Sequence, residues 1–112
     1  MKEQAVEQRI AKIRDVWTRE AAPDKIILFG SAARGNWQHD SDLDFLVVWG
    51  GGQCRDNIRR AAFLRMLLIG KVRGGVDILV LTPEEFQVAA ADPLTFTATI
   101  VREGKVLYER VA

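Results

Sequence analysis

Two aspartates one residue apart, Asp42 and Asp44, are the residues in this chain best placed to do chemistry. They begin an apolar segment that is typical of a β-strand, in which residues i and i+2 share a face. Both carboxylates are therefore expected to point the same way. In that arrangement they can bind divalent metal ions. A turn at Gly30-Ser31 precedes them, and it can offer backbone N–H groups and a hydroxyl to phosphate. Carboxylates, metal ions and a phosphate-binding turn are the minimum set for metal-assisted nucleotidyl transfer.

A third acid, Asp77, is the second residue of the apolar segment VDILVL at 76–81. Neighbouring strands lie about 4.8 Å apart, so the three carboxylates meet at one end of the sheet if the two strands are adjacent. Two Mg²⁺ ions about 4 Å apart can then clamp the attacking and leaving oxygens of an in-line displacement. The third acid can alternatively accept the proton of an attacking hydroxyl.

Each acid also has a simpler interpretation, because an aspartate at the start of a strand often caps a turn. Asp44 and Asp77 nevertheless interrupt apolar strands, and an unpaired buried carboxylate is costly unless it is paired or binds metal. Three such acids on two strands, beside a Gly-Ser turn, therefore favour a site.

Other side chains near the turn are weaker candidates. Arg34, at the end of a possible helical turn over 31–34, can reach a phosphate or be a solvated surface residue. Trp37 is the best aromatic candidate for stacking on a base, whereas His39 is more typical of a polar surface loop. Trp17 falls on the apolar stripe of a helix and is expected in the core.

The remaining pattern predicts a small α/β domain. Apolar periodicity favours helices over 2–20 and about 53–69, and apolar runs favour strands at 25–29, 42–49, 76–81 and 106–109. A capping box at Thr82-Pro83-Glu84-Glu85 starts a further helix, and Asp92-Pro93 predicts another of about ten residues that ends at Gly104. We expect one domain over 1–112, a small mixed β-sheet flanked by helices, with the strand after Asp42 in its centre.

The helix over 53–69 carries two separable sets of side chains. The basic set is Arg55, Arg59, Arg60 and Arg65, and the apolar set is Ile58, Ala62, Met66 and Ile69. The basic set is interpreted as a solvated face, or as a docking surface for an acidic partner.

Composition limits the function classes. The chain is 48% apolar and 28% charged, which is ordinary for a folded, soluble protein, and its net charge of +1 predicts no direct nucleic-acid binding. The single Cys54 excludes an internal disulfide framework and fits a reducing compartment. No signal peptide or membrane-spanning run is apparent, so a cytoplasmic protein without membrane contact is expected.

The motifs GSAARG, SDLD and VD together resemble the nucleotidyltransferase superfamily that includes DNA polymerase beta. In that family a Gly-Ser turn is followed by Asp-x-Asp and by a third acid on a later strand. The resemblance implies that Gly30, Ser31 and Arg34 bind the nucleotide, while Asp42, Asp44 and Asp77 bind metal and form the catalytic centre.

The short chain, without an acceptor-binding domain, is most similar to the minimal nucleotidyltransferases (MNT proteins), many of which are antitoxins paired with a HEPN ribonuclease toxin. This resemblance implies Mg²⁺-dependent transfer of AMP from ATP to a tyrosine of the toxin, and a hetero-oligomer with that toxin. Two alternatives stay open: a non-catalytic antitoxin that acts by complex formation, and a nucleotidyltransferase that modifies a small molecule or an RNA end.

Overall fold

The fold alternates helices and strands as the sequence pattern predicts. The computed structural model describes residues 2–35, 42–51 and 56–111, with side chains described from residue 5 onward. None of the described helices is both long and apolar enough to span a bilayer. The elements are α1 (Lys2–Glu20), β1 (Lys25–Phe29), β2 (Leu43–Val48), α2 (Asn57–Met66), β3 (Val76–Leu81), α3 (Pro83–Ala91), α4 (Phe96–Glu103) and β4 (Lys105–Glu109).

The four described strands form one mixed sheet in the order β3-β2-β1-β4. Strand β1 runs antiparallel to both β2 and β4, whereas β2 and β3 are parallel. The predicted mixed sheet, the central position of β2 and the edge position of β4 are therefore confirmed. The parallel pairing of β2 and β3 matters most for function, because it brings the starts of two acid-bearing strands to the same end of the sheet.

Helices cover both faces of the sheet. On one face α1 and α2 enclose the larger core, in which the Trp17 ring meets Phe45 edge-on with centroids 5.1 Å apart. On the other face Ile100 of α4 packs with Ile27 and Leu46, and Phe86 of α3 lies against this smaller cluster. Alternate residues of β2 therefore enter different cores, as expected for a central strand that is apolar on both faces.

The buried face of α2 differs from the one that the apolar set indicated. Ile58, Ala62, Met66 and Ile69 are exposed, and the helix instead buries Arg60, Ala61 and Leu64, followed by Leu68 just beyond its end. The buried side of α2 makes two polar contacts. Trp17 donates its indole N–H to the carbonyl of Leu64 at 2.9 Å, and Arg60 pairs with Glu85 of α3 at 2.9 Å. The interpretation of Arg60 as part of a solvated basic face is therefore wrong, whereas Arg59 and Arg65 are exposed.

Helix α4 begins later than Asp92-Pro93 suggested. Thr95 is its N-cap and accepts from the Ala98 N–H at 3.1 Å, while Asp92 ends α3 and accepts from the Leu94 N–H at 3.0 Å. Asp92 therefore shapes the turn between the two helices. Gly104 ends α4 as predicted.

Glu85 links two helices that cover opposite faces of the sheet, α2 and α3. The predicted capping box of α3 is confirmed, because Glu85 accepts from the Thr82 N–H at 2.8 Å and Thr82 accepts from the Glu85 N–H at 3.1 Å. The same Glu85 carboxylate also accepts from the nearly inaccessible guanidinium of Arg60. One side chain thus caps α3 and supplies a counter-charge to a buried cation of α2.

We expect Glu85→Ala to lower the free energy of unfolding by about 2 kcal/mol, because it removes a helix cap and the counter-charge of a buried arginine. Glu84→Ala is the matched control, since Glu84 lies in the same first turn but accepts neither the Thr82 N–H nor the Arg60 guanidinium, and its loss is expected to cost about 0.5 kcal/mol. Urea unfolding of the two variants makes the comparison. Equal midpoints would show that the link between α2 and α3 contributes no stability.

Candidate active site

Asp44 and Asp77 stand side by side at one end of the sheet. They are register partners in the parallel pairing of β2 with β3, so their side chains leave the same face of adjacent strands. This is the face that carries Leu46 and Ile27 further along the strands. The adjacency on which the predicted acid site depended is therefore present.

The two acids influence each other electrostatically. Partial burial is the first cause that raises the pKa of Asp44, followed by the charge of Asp77, a hydrogen bond with its carboxyl group and the charge of Asp42. Arg34 acts in the opposite direction and lowers the pKa of Asp44. Because carboxylates repel one another at this end of the sheet, the site favours a proton or a cation between them.

Gly30 is fitted directly against the Asp44 carboxylate. Its φ is +78°, and a methyl group built on it would overlap the Asp44 Oδ2 atom. Only glycine satisfies both conditions without strain. The following residues form a single turn, which the Arg34 N–H closes on the carbonyl oxygens of Ser31 at 3.1 Å and Gly30 at 3.3 Å. The N–H groups of the first residues of such a turn have no acceptor within it, which suits the binding of an anion beside Asp44.

Asp42 is held by a contact that the sequence pattern did not reveal. A methyl group on Gly75 would overlap the Asp42 Oδ1 atom, so the carboxylate lies directly on this glycine. The Gly75 carbonyl accepts from the Arg9 guanidinium at 2.6 Å and from the Leu43 N–H at 3.2 Å. Arg9 of α1 thus fixes the turn that supports Asp42.

Burial lowers the pKa of Arg9, and the charge of Asp42 partly offsets that effect. The sequence signal for the contact between Gly75 and Asp42 was the pair Gly74-Gly75, which directly precedes an acid-bearing strand. Nothing local to Arg9 indicated its role, since it lies 66 residues from Gly75 along the chain.

Arg34 and Gly30 also border a small cleft on the Asp44 side of the sheet. The cleft measures about 170 Å³, and its lining includes Phe29, Phe96 and Thr99. The Phe29 and Phe96 rings meet edge-on with centroids 5.7 Å apart. Arg34 thus lies beside the Gly30 turn in a cleft that also contains the acidic Glu103, and its phosphate-binding role stays a prediction.

The burial argument for the acids needs a correction. Asp42 and Asp77 are exposed and Asp44 is only partly buried, because the three residues lie at the open end of the sheet. Within residues 2–35, 42–51 and 56–111, no group of three acidic, His or Cys side chains forms a ready-made metal site. The acids are instead arranged as an in-register pair, Asp44 and Asp77, with Asp42 as a charged neighbour. Trp37 and His39 lie outside the described residues.

Similar folds occur among solved structures. One is a Sulfolobus solfataricus protein provisionally described as a nucleotidyltransferase, which is 23% identical in sequence with a TM-score of 0.58. The match covers 95% of this chain and 87% of that one, and it shows that the two folds are alike. A mutant form of the toxin–antitoxin MntA-HpeT is 25% identical with a TM-score of 0.59, over 90% and 72% of the two chains. A toxin–antitoxin with AMP-PNP is 26% identical with a TM-score of 0.51, over 93% and 73%.

Comparison with curated protein sequences gave no match. A family model described as "Polymerase beta, Nucleotidyltransferase" matches residues 11–111 and so includes the Gly30 turn, the three acids and all four described strands. The chain therefore belongs to the polymerase beta family of nucleotidyltransferases.

Proposed function

We propose that this chain is an MNT antitoxin that transfers AMP from ATP to a tyrosine hydroxyl of a HEPN ribonuclease toxin and so neutralises the toxin. The observation that carries the proposal is the in-register pair Asp44 and Asp77 with Gly30 fitted against Asp44. The likeness to two toxin–antitoxin structures, one of them with AMP-PNP, supports a protein acceptor and an adenine nucleotide.

In this reaction the tyrosine oxygen attacks the α-phosphorus of ATP, and the bond to the β-phosphate breaks. Pyrophosphate leaves with the bonding electron pair, and AMP stays on the tyrosine oxygen. The Gly30-Ser31 turn and Arg34 hold the triphosphate. Asp77, which is exposed and in register with Asp44, accepts the proton of the hydroxyl.

The chemistry of the acids suits Mg²⁺, because carboxylates are hard oxygen ligands and the charges of Asp77 and Asp42 beside Asp44 favour a cation, although the three do not form a ready-made cluster. Asp42, Asp44 and Asp77 would hold two such ions, which supply charge stabilisation to the attacking and leaving oxygens. Gly75 and Arg9 keep Asp42 in reach of this centre.

The direct test mixes the purified chain with Mg²⁺, α-labelled ATP and the protein encoded beside it. We expect label on a tyrosine of that protein and at least 100-fold less transfer with Asp42→Asn and Asp44→Asn combined, because metal binding is lost. Asp15→Asn, on the exposed surface of α1, is the control and should transfer normally. Absence of label with the wild-type chain, or undiminished label with the double variant, contradicts the proposal.

A non-catalytic antitoxin is the second candidate, and the arrangement of the acids as a pair plus a neighbour favours it. Toxin inhibition in cells separates the two. If the double Asn variant binds the toxin and still protects cells at equal expression, complex formation is sufficient. If the variant binds but no longer protects, transfer is required.

Asp44→Asn is expected to raise the melting temperature at pH 7 in EDTA while it removes activity. The pKa of Asp44 is raised by folding, so the folded state loses stability as pH rises above the unfolded value of about 4, and a neutral amide avoids that loss. Added Mg²⁺ should stabilise the wild type but not the variant. Thermal scans with and without Mg²⁺, with Asp15→Asn as control, make the measurement; a lower melting temperature for Asp44→Asn in EDTA would contradict this reading.

Gly75→Ala is expected to lower the transfer rate at least tenfold, or about 1.4 kcal/mol, because the added methyl group displaces the Asp42 carboxylate. Gly50→Ala is the matched control, since a methyl group there meets no atom within 4 Å. Neither glycine has a positive φ, so backbone strain does not separate them. Equal rates for the two variants would mean that the position of Asp42 on Gly75 is unimportant.

A further inference from the structure

Helix α2 and the turn after it present an apolar stripe to solvent, defined here as Ile58, Ala62, Met66 and Ile69. Ile58 is 78% exposed, Met66 53% and Ile69 74%. Ile58, Ala62 and Met66 are spaced four residues apart on α2 and share one side of the helix, and Ile69 lies in the turn just after it. Contiguous exposed apolar side chains of this kind mark an interaction surface more often than isolated ones do.

The stripe is not needed for the internal packing of the domain. Helix α2 is attached to the sheet through its opposite side, where Ala61, Leu64 and Leu68 enter the larger core and Trp17 bonds to the Leu64 carbonyl. The apolar surface of these exposed side chains stays in contact with water in the isolated chain, so hydrophobic stabilisation is left unused. A partner that covered the stripe would recover part of it.

The stripe lies next to the acid site. A cleft of about 390 Å³ lies between them, and its lining includes Ile69 and Arg65 on one side and Asp42 and Asp77 on the other. Arg65 connects the two sides of the cleft, because its guanidinium donates a hydrogen bond to the carbonyl of Val76 at 3.1 Å. Val76 is the residue before Asp77. A segment seated on α2 can therefore extend a side chain to the acids.

The charge around the stripe is mainly positive, although Asp56, the N-cap of α2, lies 3.7 Å from the Arg59 guanidinium. The segment over 57–75 contains no Asp or Glu, and its cations are Arg59, Arg60, Arg65, Lys71 and Arg73. Arg60 points inward to Glu85, whereas the other four are exposed. The near-neutral net charge of the whole chain conceals this local excess of cations.

We propose that the stripe and its exposed cations dock an acidic, amphipathic segment of the acceptor protein and direct the acceptor side chain into the cleft beside Asp42 and Asp77. A second copy of the chain fits poorly, because a symmetric contact would put the same cations against each other. A nucleic acid fits poorly as well, because an aliphatic stripe gains nothing from phosphates. The inference rests on the proposed function only in naming the docked segment as the acceptor.

The test uses a fluorescent synthetic amphipathic helix with Leu on one face and Glu on the other, titrated onto the isotope-labelled chain without ATP or metal. We expect shifts of the backbone NMR signals confined to α2 and the cleft, and at least tenfold weaker binding when Lys replaces Glu in the peptide. No shift in α2 at millimolar peptide, or shifts centred elsewhere, overturns the proposal.

Variants of the chain separate the apolar and the charged contributions. Ile58→Ser with Ile69→Ser, and Arg59→Glu with Arg65→Glu, should each weaken binding at least tenfold with little change in melting temperature, since all four residues are exposed. The control, Val88→Ser with Lys105→Glu, changes exposed residues of α3 and β4 and should bind normally. Equal binding by all three variants overturns the proposal.

Two further outcomes identify other occupants. Dimerisation of the wild type that Ile58→Ser abolishes would assign the stripe to a second copy. An RNA that binds the same surface, and loses affinity with Arg59→Glu and Arg65→Glu but not with the serine variant, would assign it to nucleic acid. Because the peptide titration contains neither ATP nor metal, failure of the proposed transfer reaction leaves its result interpretable.

Discussion

The repulsion between Asp44 and Asp77 is the constraint on which this structure depends. Parallel pairing of β2 with β3 fixes the two carboxylates in register at the open end of the sheet. A shift of one residue would turn Asp77 to the opposite face, which α1 and α2 cover. The hydrophobic cores on both faces therefore enforce a charge arrangement that is unfavourable by itself. Stability elsewhere in the domain therefore maintains this pair of like charges.

The same end of the sheet shows why small residues surround the acids. Gly30 and Gly75 lie so close to Asp44 and Asp42 that any side chain there would displace a carboxylate. Arg9 adds a cation that binds a backbone carbonyl instead of pairing directly with an acid. The carboxylates are thus held by close packing and by the strand starts, which leaves their oxygens available for ligands.

Much of this fold could be predicted because its signals are local. The segments KIILF and VDILVL are apolar runs bounded by turn residues, and Thr82 to Glu85 form a complete capping box, so these boundaries match the structure. The start of α4 was missed because Thr95 competes with Asp92, and only the tertiary turn decides between two good caps. Arg9 could not be assigned, since its partner is distant in sequence. The predicted roles of the acids and of Arg34 remain predictions, although the structure brings these residues together.

The side of α2 that is buried is decided by a competition between its two faces. Periodicity offered Ile58, Met66 and Ile69 as the inner face, and burial of each is worth about 1.5–3 kcal/mol. The observed inner face includes a charged Arg60, which is tolerated because Glu85 already occupies the adjacent cap of α3 and supplies the counter-charge. It also includes Leu64 and Leu68, whose positions let the Trp17 indole reach a backbone carbonyl. An amphipathic helix with two apolar faces has no unique orientation from periodicity alone. In α2 the polar partners select which face enters the core, and the other face is left as surface beside the acid site.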